Sequence, residues 1–372
     1  MKKVMTVFGT RPEAIKMAPV IRALTEHPDF EPVVCVTAQH REMLDQILGL
    51  FDIKPDMDLN VMTHGQQLAG LSSAILQGMS EIFAKNKPDI VLVQGDTTTT
   101  FCAALAAFYE KIPVGHIEAG LRTGDIHAPF PEEMNRLLTS RLATWHFAPT
   151  KTNYDNLIQE GVSEKQVFIT GNTVIDALLQ INDRINNGIY GDEATLALTH
   201  TERPFILVTG HRRENFGQGF ENICTALKTI AGNHPDLDII YPVHLNPNVQ
   251  EPVKKILSGS NNIKLIEPLG YEAFVALLSK ALFIITDSGG VQEEAPSLGK
   301  PVLVMRDKTE RIEGVGSSVR LVGTNKETII NEAEKLINDK VHYKMMANIE
   351  NPYGDGKAAK NIVDILCSNI IN

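Results

Sequence analysis

Three carboxylates in the first half of the chain stand where an apolar run ends or a helix-like run begins. Asp96 follows Ile90–Gln94 in Gly95-Asp96-Thr97-Thr98-Thr99-Thr100, and Glu118 follows Val114–Ile117 in His116-Ile117-Glu118-Ala119-Gly120-Leu121-Arg122. Glu132 opens a helix-like run in Pro131-Glu132-Glu133-Met134-Asn135-Arg136. A carboxylate next to a buried strand needs a partner or a task, because burying it unpaired is costly. Each has a plainer reading. Asp96 can cap the helix after it, and Glu132 and Glu133 suit a first helical turn through the dipole alone. Three on one rim suit proton transfer.

Cations and glycines complete the set. In Gly9-Thr10-Arg11-Pro12-Glu13-Ala14-Ile15-Lys16, Gly9 allows a tight turn and Pro12 fits the first helical position. Arg11 and Lys16 with free helix amides would make an anion site, where the plainer reading is a turn with solvated charges. His211, Arg212 and Arg213 follow another apolar run and suit a diphosphate; His244 stands at the end of a further one, where a lone His is more often structural. Asp287-Ser288-Gly289-Gly290-Val291-Gln292-Glu293-Glu294 lets backbone amides approach a phosphate at a helix start. Glu294, one turn in, can accept both hydroxyls of a ribose. Tyr271 and Phe274 can flank a base, although their helical spacing also suits a core.

These groups need strands to hold them. The strand-like runs are Val4–Phe8, Val33–Thr37, Ile90–Gln94, Val114–Ile117 and Trp145–Ala148, then Phe205–Thr209, Asp238–Val243, Ile263–Ile266, Phe283–Thr286, Val302–Met305 and Val319–Val322. Several are continuously apolar, as in parallel strands covered on both faces. Between them lie helical patterns such as Glu13–Glu26, Leu68–Phe83, Thr99–Glu110, Phe220–Ala231 and Tyr271–Lys280. The alternation predicts α/β architecture: two Rossmann-like domains built on parallel sheets. The expected bounds are 1–170 for the first domain, 171–203 for a helix (Thr173–Asn187) and a linker near Gly188–Thr201, and 204–357 for the second. A tail helix, Ala358–Asn372, follows the turn cluster Asn351–Gly356. Ligands of such sheets bind beyond the strands' carboxyl ends, which points to a central cleft between the domains.

The chain has 372 residues, with 35 Lys and Arg against 45 Asp and Glu, a formal charge of −10. That argues against a general nucleic-acid binder. Cys35, Cys102, Cys224 and Cys367 lie far apart, which argues against a disulfide framework and a structural zinc site. The apolar stretch after Met1-Lys2-Lys3 is too short for a signal sequence, and no run approaches the roughly 18 apolar residues of a membrane span. A soluble cytoplasmic protein with no membrane partner is expected. Gly217-Gln218-Gly219-Phe220-Glu221-Asn222 lacks the third glycine of a dinucleotide fingerprint, Gly299-Lys300 runs into Pro301 rather than forming a P-loop, and no metal-ligand spacing appears. No dedicated cofactor and no metal are expected.

Taken together, Gly9–Pro19, Gln94–Thr99, His116–Asp125, Pro131–Arg136, Gly210–Asn215, Pro242–Asn248 and Asp287–Pro296 resemble the bacterial non-hydrolysing UDP-N-acetylglucosamine 2-epimerases, in order and over nearly the whole chain. The resemblance implies a glycosyltransferase-B fold whose C-terminal helix returns to the first domain. It implies interconversion of UDP-N-acetylglucosamine and UDP-N-acetylmannosamine through loss and re-addition of UDP, for surface polysaccharide synthesis, and a homodimer. By motif, Asp96, Glu118, Glu132 and His211 look like the catalytic group. Arg11, Lys16, His244, Phe274, Ser288, Gly289, Gly290, Glu294 and Arg311 look like substrate contacts. The chain departs from the family pattern after Arg311, where Gly316-Ser317-Ser318 stands, and Gly270 replaces the usual Asp before Tyr271. The segment Gln39-His40-Arg41 resembles a second, activating site for the UDP-sugar, with Gly65-Gln66-Gln67 beside it in the pattern. The alternatives are a glycosyltransferase, an epimerase of another UDP-2-acetamido sugar, and a non-catalytic UDP-sugar sensor.

Overall fold

The computed structural model describes residues 1–38, 41–61, 67–191, 195, 197–198 and 203–370. The chain forms two compact units, one of Met1–Ala177 with Tyr353–Asn372 and the other of Leu178–Pro352.

In the first unit, strands β1 (Lys2–Phe8), β2 (Phe30–Val36), β3 (Met57–Asp58), β4 (Ile90–Gln94), β5 (Val114–Ile117), β6 (Trp145–Ala148) and β7 (Val167–Ile169) build one sheet in the order 3-2-1-4-5-6-7. Every pair is parallel. Helices α1 (Arg11–Glu26), α2 (Arg41–Leu50), α3 (Leu68–Asn86), α4 (Thr98–Tyr109), α5 (Glu132–Leu142) and α6 (Lys151–Gln159) lie between them, and α7 (Thr173–Asn186) follows β7 and belongs from Leu178 on to the second unit. The continuous apolar runs follow from this: Met5, Val7, Val91 and Val93 are fully buried and pack with Met79, Phe83, Ala103 and Ala107 of α3 and α4. Full burial of such side chains stabilises by about 1.5–3 kcal/mol each.

The second unit repeats the plan. Strands β8 (Phe205–Thr209), β9 (Asp238–Pro242), β10 (Ile263–Ile266), β11 (Ile284–Thr286), β12 (Val302–Val304) and β13 (Val319–Leu321) form a parallel sheet in the order 10-9-8-11-12-13. Its helices are α8 (Gln218–Asn233), α9 (Pro247–Leu257), α10 (Tyr271–Lys280), α11 (Gly289–Glu294), α12 (Lys326–Asn338) and α13 (Lys340–Ala347). Ile206, Val208, Phe220, Leu227, Tyr241, Ile285 and Leu303 form its core.

Both sheets change their winding direction between neighbouring strands: β1 and β4 in the first unit, β8 and β11 in the second. At such a switch point the connections leave in opposite directions and open a crevice at the carboxyl ends. The candidate motifs that follow strands stand after those four, β5 and, for His244, β9.

The first unit is closed by a late segment of chain. The Asn172 amide donates to Tyr353 O at 2.7 Å, and the amides of Ala358 and Ala359 donate to the Asp176 carboxylate at 3.2 and 2.9 Å. Helix α14 (Ala358–Ile370) then lies against α1 and buries Ile362, Val363 and Leu366. Among the described residues no helix is long and apolar enough to cross a membrane.

Candidate active site

The rim of the first sheet is tied together by a residue the sequence reading passes over. Glu13 is 2% exposed, and one carboxylate oxygen accepts from the amides of Gly9 and Thr10 at 2.9 and 2.7 Å. The other accepts from the hydroxyls of Thr97 and Thr100 at 2.6 and 3.2 Å. Burial holds Glu13 above the usual carboxylate range against those donors. This corrects one expectation: the amides of the Gly9–Thr10 turn, left open for an anion by sequence reasoning, are taken by the chain's own Glu13. The signal was present, since Thr10 and Glu13 have the spacing of a capping box and close one here.

Glu118 sits just past β5 with φ of +62°, a left-handed conformation that only glycine adopts freely. Its side chain is 9% exposed and accepts from Lys16 Nζ and Gln94 Nε2. Lys16 is therefore paired with a carboxylate here. Asp96 does not cap α4; Thr97 does, accepting from the Thr100 amide at 3.3 Å. Asp96 instead pairs with the guanidinium of Arg136 on α5, while Asn135 donates to the Asp96 carbonyl at 3.0 Å. Arg136 is 5% exposed and reaches Glu133 at 2.9 Å. Glu133, in turn, accepts from the amides of Thr123 and Gly124 at 3.0 and 3.1 Å. Glu132 is half-buried in the first turn of α5, and its carboxylate has no hydrogen bond or ion pair among the described residues. The fully buried His116 fixes the Gly95 carbonyl next to Asp96 at 2.7 Å; burial lowers its pKa to about 4, so the ring is neutral. Arg11 is half-buried at the start of α1.

Gly120 lets the β5 loop pass α6. Its φ is +90°, and a Cβ there would stand 2.1 Å from the Asn153 carbonyl oxygen.

The second unit uses the same device. Asp287, at the end of β11, is fully buried, and one of its oxygens accepts from the amides of His211 and Arg212, both at 2.8 Å. The His211 ring lies 3.6 Å from the other oxygen and stacks on His244, with centroids 5.2 Å apart. Partial burial holds His211 below its usual range; Asp287 opposes this, while His244 and Arg212 add to it. His244 itself is exposed.

Ser288 precedes α11, whose first residues are Gly289 and Gly290. The Arg311 guanidinium covers Gly289: a Cβ there would meet Arg311 Cζ at 3.2 Å. Arg311 is held by Glu293 at 2.8 Å and Glu310 at 2.5 Å. Burial would favour a neutral Glu310, but Arg311 and Arg306 outweigh it and hold the carboxyl down to about 2. Glu294 is 6% exposed and accepts from the Tyr271 hydroxyl at 3.2 Å. Phe274, on the same helix as Tyr271, is half-buried.

The family model described as UDP-N-acetylglucosamine 2-epimerase matches residues 22–367. A protein of that name from Escherichia coli (strain K12) is 57% identical over 374 residues, covering 100% of both chains. The chain belongs to the UDP-N-acetylglucosamine 2-epimerase family. The epimerase of Yersinia pestis is 56% identical over 368 residues and 98% of each chain. The crystal structure of the Neisseria meningitidis epimerase bound to UDP-GlcNAc aligns with a TM-score of 0.91 at 52% identity, covering 99% of this chain and 100% of that one.

For this member of the epimerase family, the expected residues fall into two groups. Asp96, Glu118, Glu132, Arg11 and Lys16 occupy the rim of the first sheet. His211, His244, Ser288, Gly289, Gly290, Glu294 and Arg311 occupy that of the second, with Phe274 on the helix that carries Tyr271. Of the expected activator residues, Gln39 and His40 lie outside the described residues, as do Gly65 and Gln66. Arg41 opens α2 and pairs with Asp58 and with Asp45, the latter at 3.1 Å. Sequence reasoning passed over Glu13, Asp287 and Arg136. Asp287 could have been flagged as Glu118 was, as a carboxylate at the end of an apolar run.

Proposed function

We propose that this chain interconverts UDP-N-acetylglucosamine and UDP-N-acetylmannosamine by eliminating UDP to 2-acetamidoglucal and re-adding it with the opposite configuration at carbon 2. The observation that carries this reading is Glu118. It is a carboxylate held in a strained conformation, clamped by Lys16 and Gln94, with Asp96 and Glu132 on the same rim. Strain of about 1–3 kcal/mol persists at such a position only where the surroundings over-determine it, which is common at reaction centres.

The carbon 2 proton has no adjacent carbonyl to acidify it. Its removal is coupled to the departure of UDP, with positive charge building at carbon 1, and a carboxylate serves both as base and as charge stabiliser. Inversion needs removal on one face and delivery on the other, so more than one acid–base group is required. Glu118, Asp96 and Glu132 supply carboxylates, each in a different setting, and a neutral His211 can take up and return a proton. Glu294 holds the ribose diol, Phe274 flanks the base, and Arg311, with the amides of Gly289 and Gly290, holds the diphosphate beside Ser288 and His244. Arg11 and Lys16 face the sugar and its phosphate. Homodimerisation, a cytoplasmic location, activation by the UDP-sugar beside Arg41 and a place in surface-polysaccharide synthesis belong to the same reading and rest on the family resemblance.

Turnover of UDP-N-acetylglucosamine alone, in heavy water, tests it. Mass spectrometry of early product should show UDP-N-acetylmannosamine with solvent deuterium at carbon 2. Full retention of the original hydrogen would sink the elimination route, and no product without an added acceptor would favour a glycosyltransferase.

A further inference from the structure

Three of the four cysteines, Cys35, Cys102 and Cys224, are buried. Cys367 is half-buried on α14. It meets the turn between α1 and β2, where His27 ends α1 by donating its amide to the Leu24 carbonyl and Asp29 follows two residues later. A sulfur, a ring nitrogen and a carboxylate oxygen from Cys367, His27 and Asp29 all lie within 4.8 Å of one another.

We propose that His27, Asp29 and Cys367 form a zinc site that fastens α14 to the α1–β2 turn, with water as the fourth ligand. A tetrahedral zinc ion with bonds of about 2.0–2.3 Å spaces its donors by roughly 3.3–3.8 Å, so small side-chain adjustments close the site. One imidazole, one carboxylate and one thiolate form a mixed set suited to zinc, and the two anions balance its charge. No Lys or Arg pairs with Asp29 among the described residues, so no resident cation competes. The His27 ring packs on Phe30 with centroids 5.0 Å apart, which limits its rotation. Its Nδ1 accepts only a long bond, 3.3 Å, from the Asp29 amide, and lies 4.0 Å from Asp29 Oδ2. The turn is already shaped, since Lys2 N donates to Asp29 O at 2.7 Å and Phe30 N to His27 O at 3.3 Å.

The site lies at the far end of α1 from Arg11. With 16 residues in that helix, the separation is roughly 24 Å. The ion therefore acts on the attachment of α14 and leaves the rim groups alone. A search of sequence spacing misses it because the thiol and the other two ligands come from opposite ends of the chain.

The test uses the full-length, tag-free chain. Zn2+ titrated calorimetrically should bind one ion per chain, and Co2+ should give a near-ultraviolet thiolate charge-transfer band. Cys367→Ser, His27→Ala and Asp29→Asn should each weaken binding at least tenfold. Zn2+ should also slow alkylation of Cys367 in the native chain, where the other thiols are buried. Melting curves of the metal-free variants check folding; if His27→Ala lowers the melting temperature, Asp29→Asn and Cys367→Ser decide. Binding that survives Cys367→Ser, or protection from alkylation equal in Asp29→Asn and the unaltered chain, overturns the site.

Discussion

Glu118 concentrates the demands made on single side chains. Its carboxylate accepts from Lys16 and from the Gln94 side-chain amide, in a backbone conformation that favours glycine. Replacing one oxygen by an amide nitrogen leaves the shape but sets N–H against two donors. Glu118→Gln, Asp96→Asn and Glu132→Gln are each expected to lower kcat by about 10²-fold or more, the scale of general acid–base contributions, with UDP affinity changed by less than about threefold. Steady-state kinetics beside UDP calorimetry separates the two effects. An equal loss in both would make these residues binding groups. In the second unit the expectation is reversed. Glu294→Ala removes the acceptor proposed for two ribose hydroxyls, each charge-assisted bond being worth about 1.5–3 kcal/mol, so UDP should bind at least about tenfold more weakly. Unchanged affinity would remove Glu294 from the site. Glu13 and Asp287 show what composition hides. Each occupies a pair of loop amides that an external anion would otherwise use.

At the scale of elements, the sequence was most readable where burial was complete. Ile90–Gln94 and Val114–Ile117, buried throughout, and Trp145–Ala148 and Phe205–Thr209, buried but for one end residue each, are strands with the bounds their apolar runs predict. The strands that escaped are β3, two residues long, and β7, three residues long, both at edges of the first sheet. Edge strands are covered on fewer sides, so little hydrophobic signal marks them. The site was readable as motifs after strands. Its wiring was not, because Asp96–Arg136 and Lys16–Glu118 pair residues far apart in the chain. Asp176 on α7 offers a test at this scale. Burial raises its pKa from 3.8 to about 6, although two α14 amides oppose the rise. The folded chain thus holds this proton more tightly than the unfolded one. The contribution to stability is full below pH 3.8 and is lost as pH rises through about 6. Relative to Asp176→Asn, the unaltered chain should lose up to about 3 kcal/mol of unfolding free energy between about pH 4 and about pH 8. Urea unfolding of both proteins measures it, and parallel pH profiles would refute the assignment.

For the whole molecule, each unit carries its own core, and α14 belongs to the first. Deleting residues 358–372 strips Ile362, Val363 and Leu366 from α1. At about 1.5–3 kcal/mol per side chain, the first unit should lose more than about 4 kcal/mol. Scanning calorimetry should show one transition moved far down and another, from the second unit, little changed. A uniform small shift of all the heat absorption would mean that α14 is dispensable.

That arrangement also sets an order of events during synthesis. The second unit is one continuous stretch, Leu178–Pro352, whereas the first is built from two, the later of which carries α14. The strands of the first unit are all made before the second unit begins, but α1 keeps a bare apolar face until α14 has been made. Domains usually fold in the order in which they emerge. Here the half that starts first cannot be finished until the whole of the other has been made. Chaperones that hold exposed apolar surface therefore have a natural target on the growing chain, the face of α1 that α14 will cover.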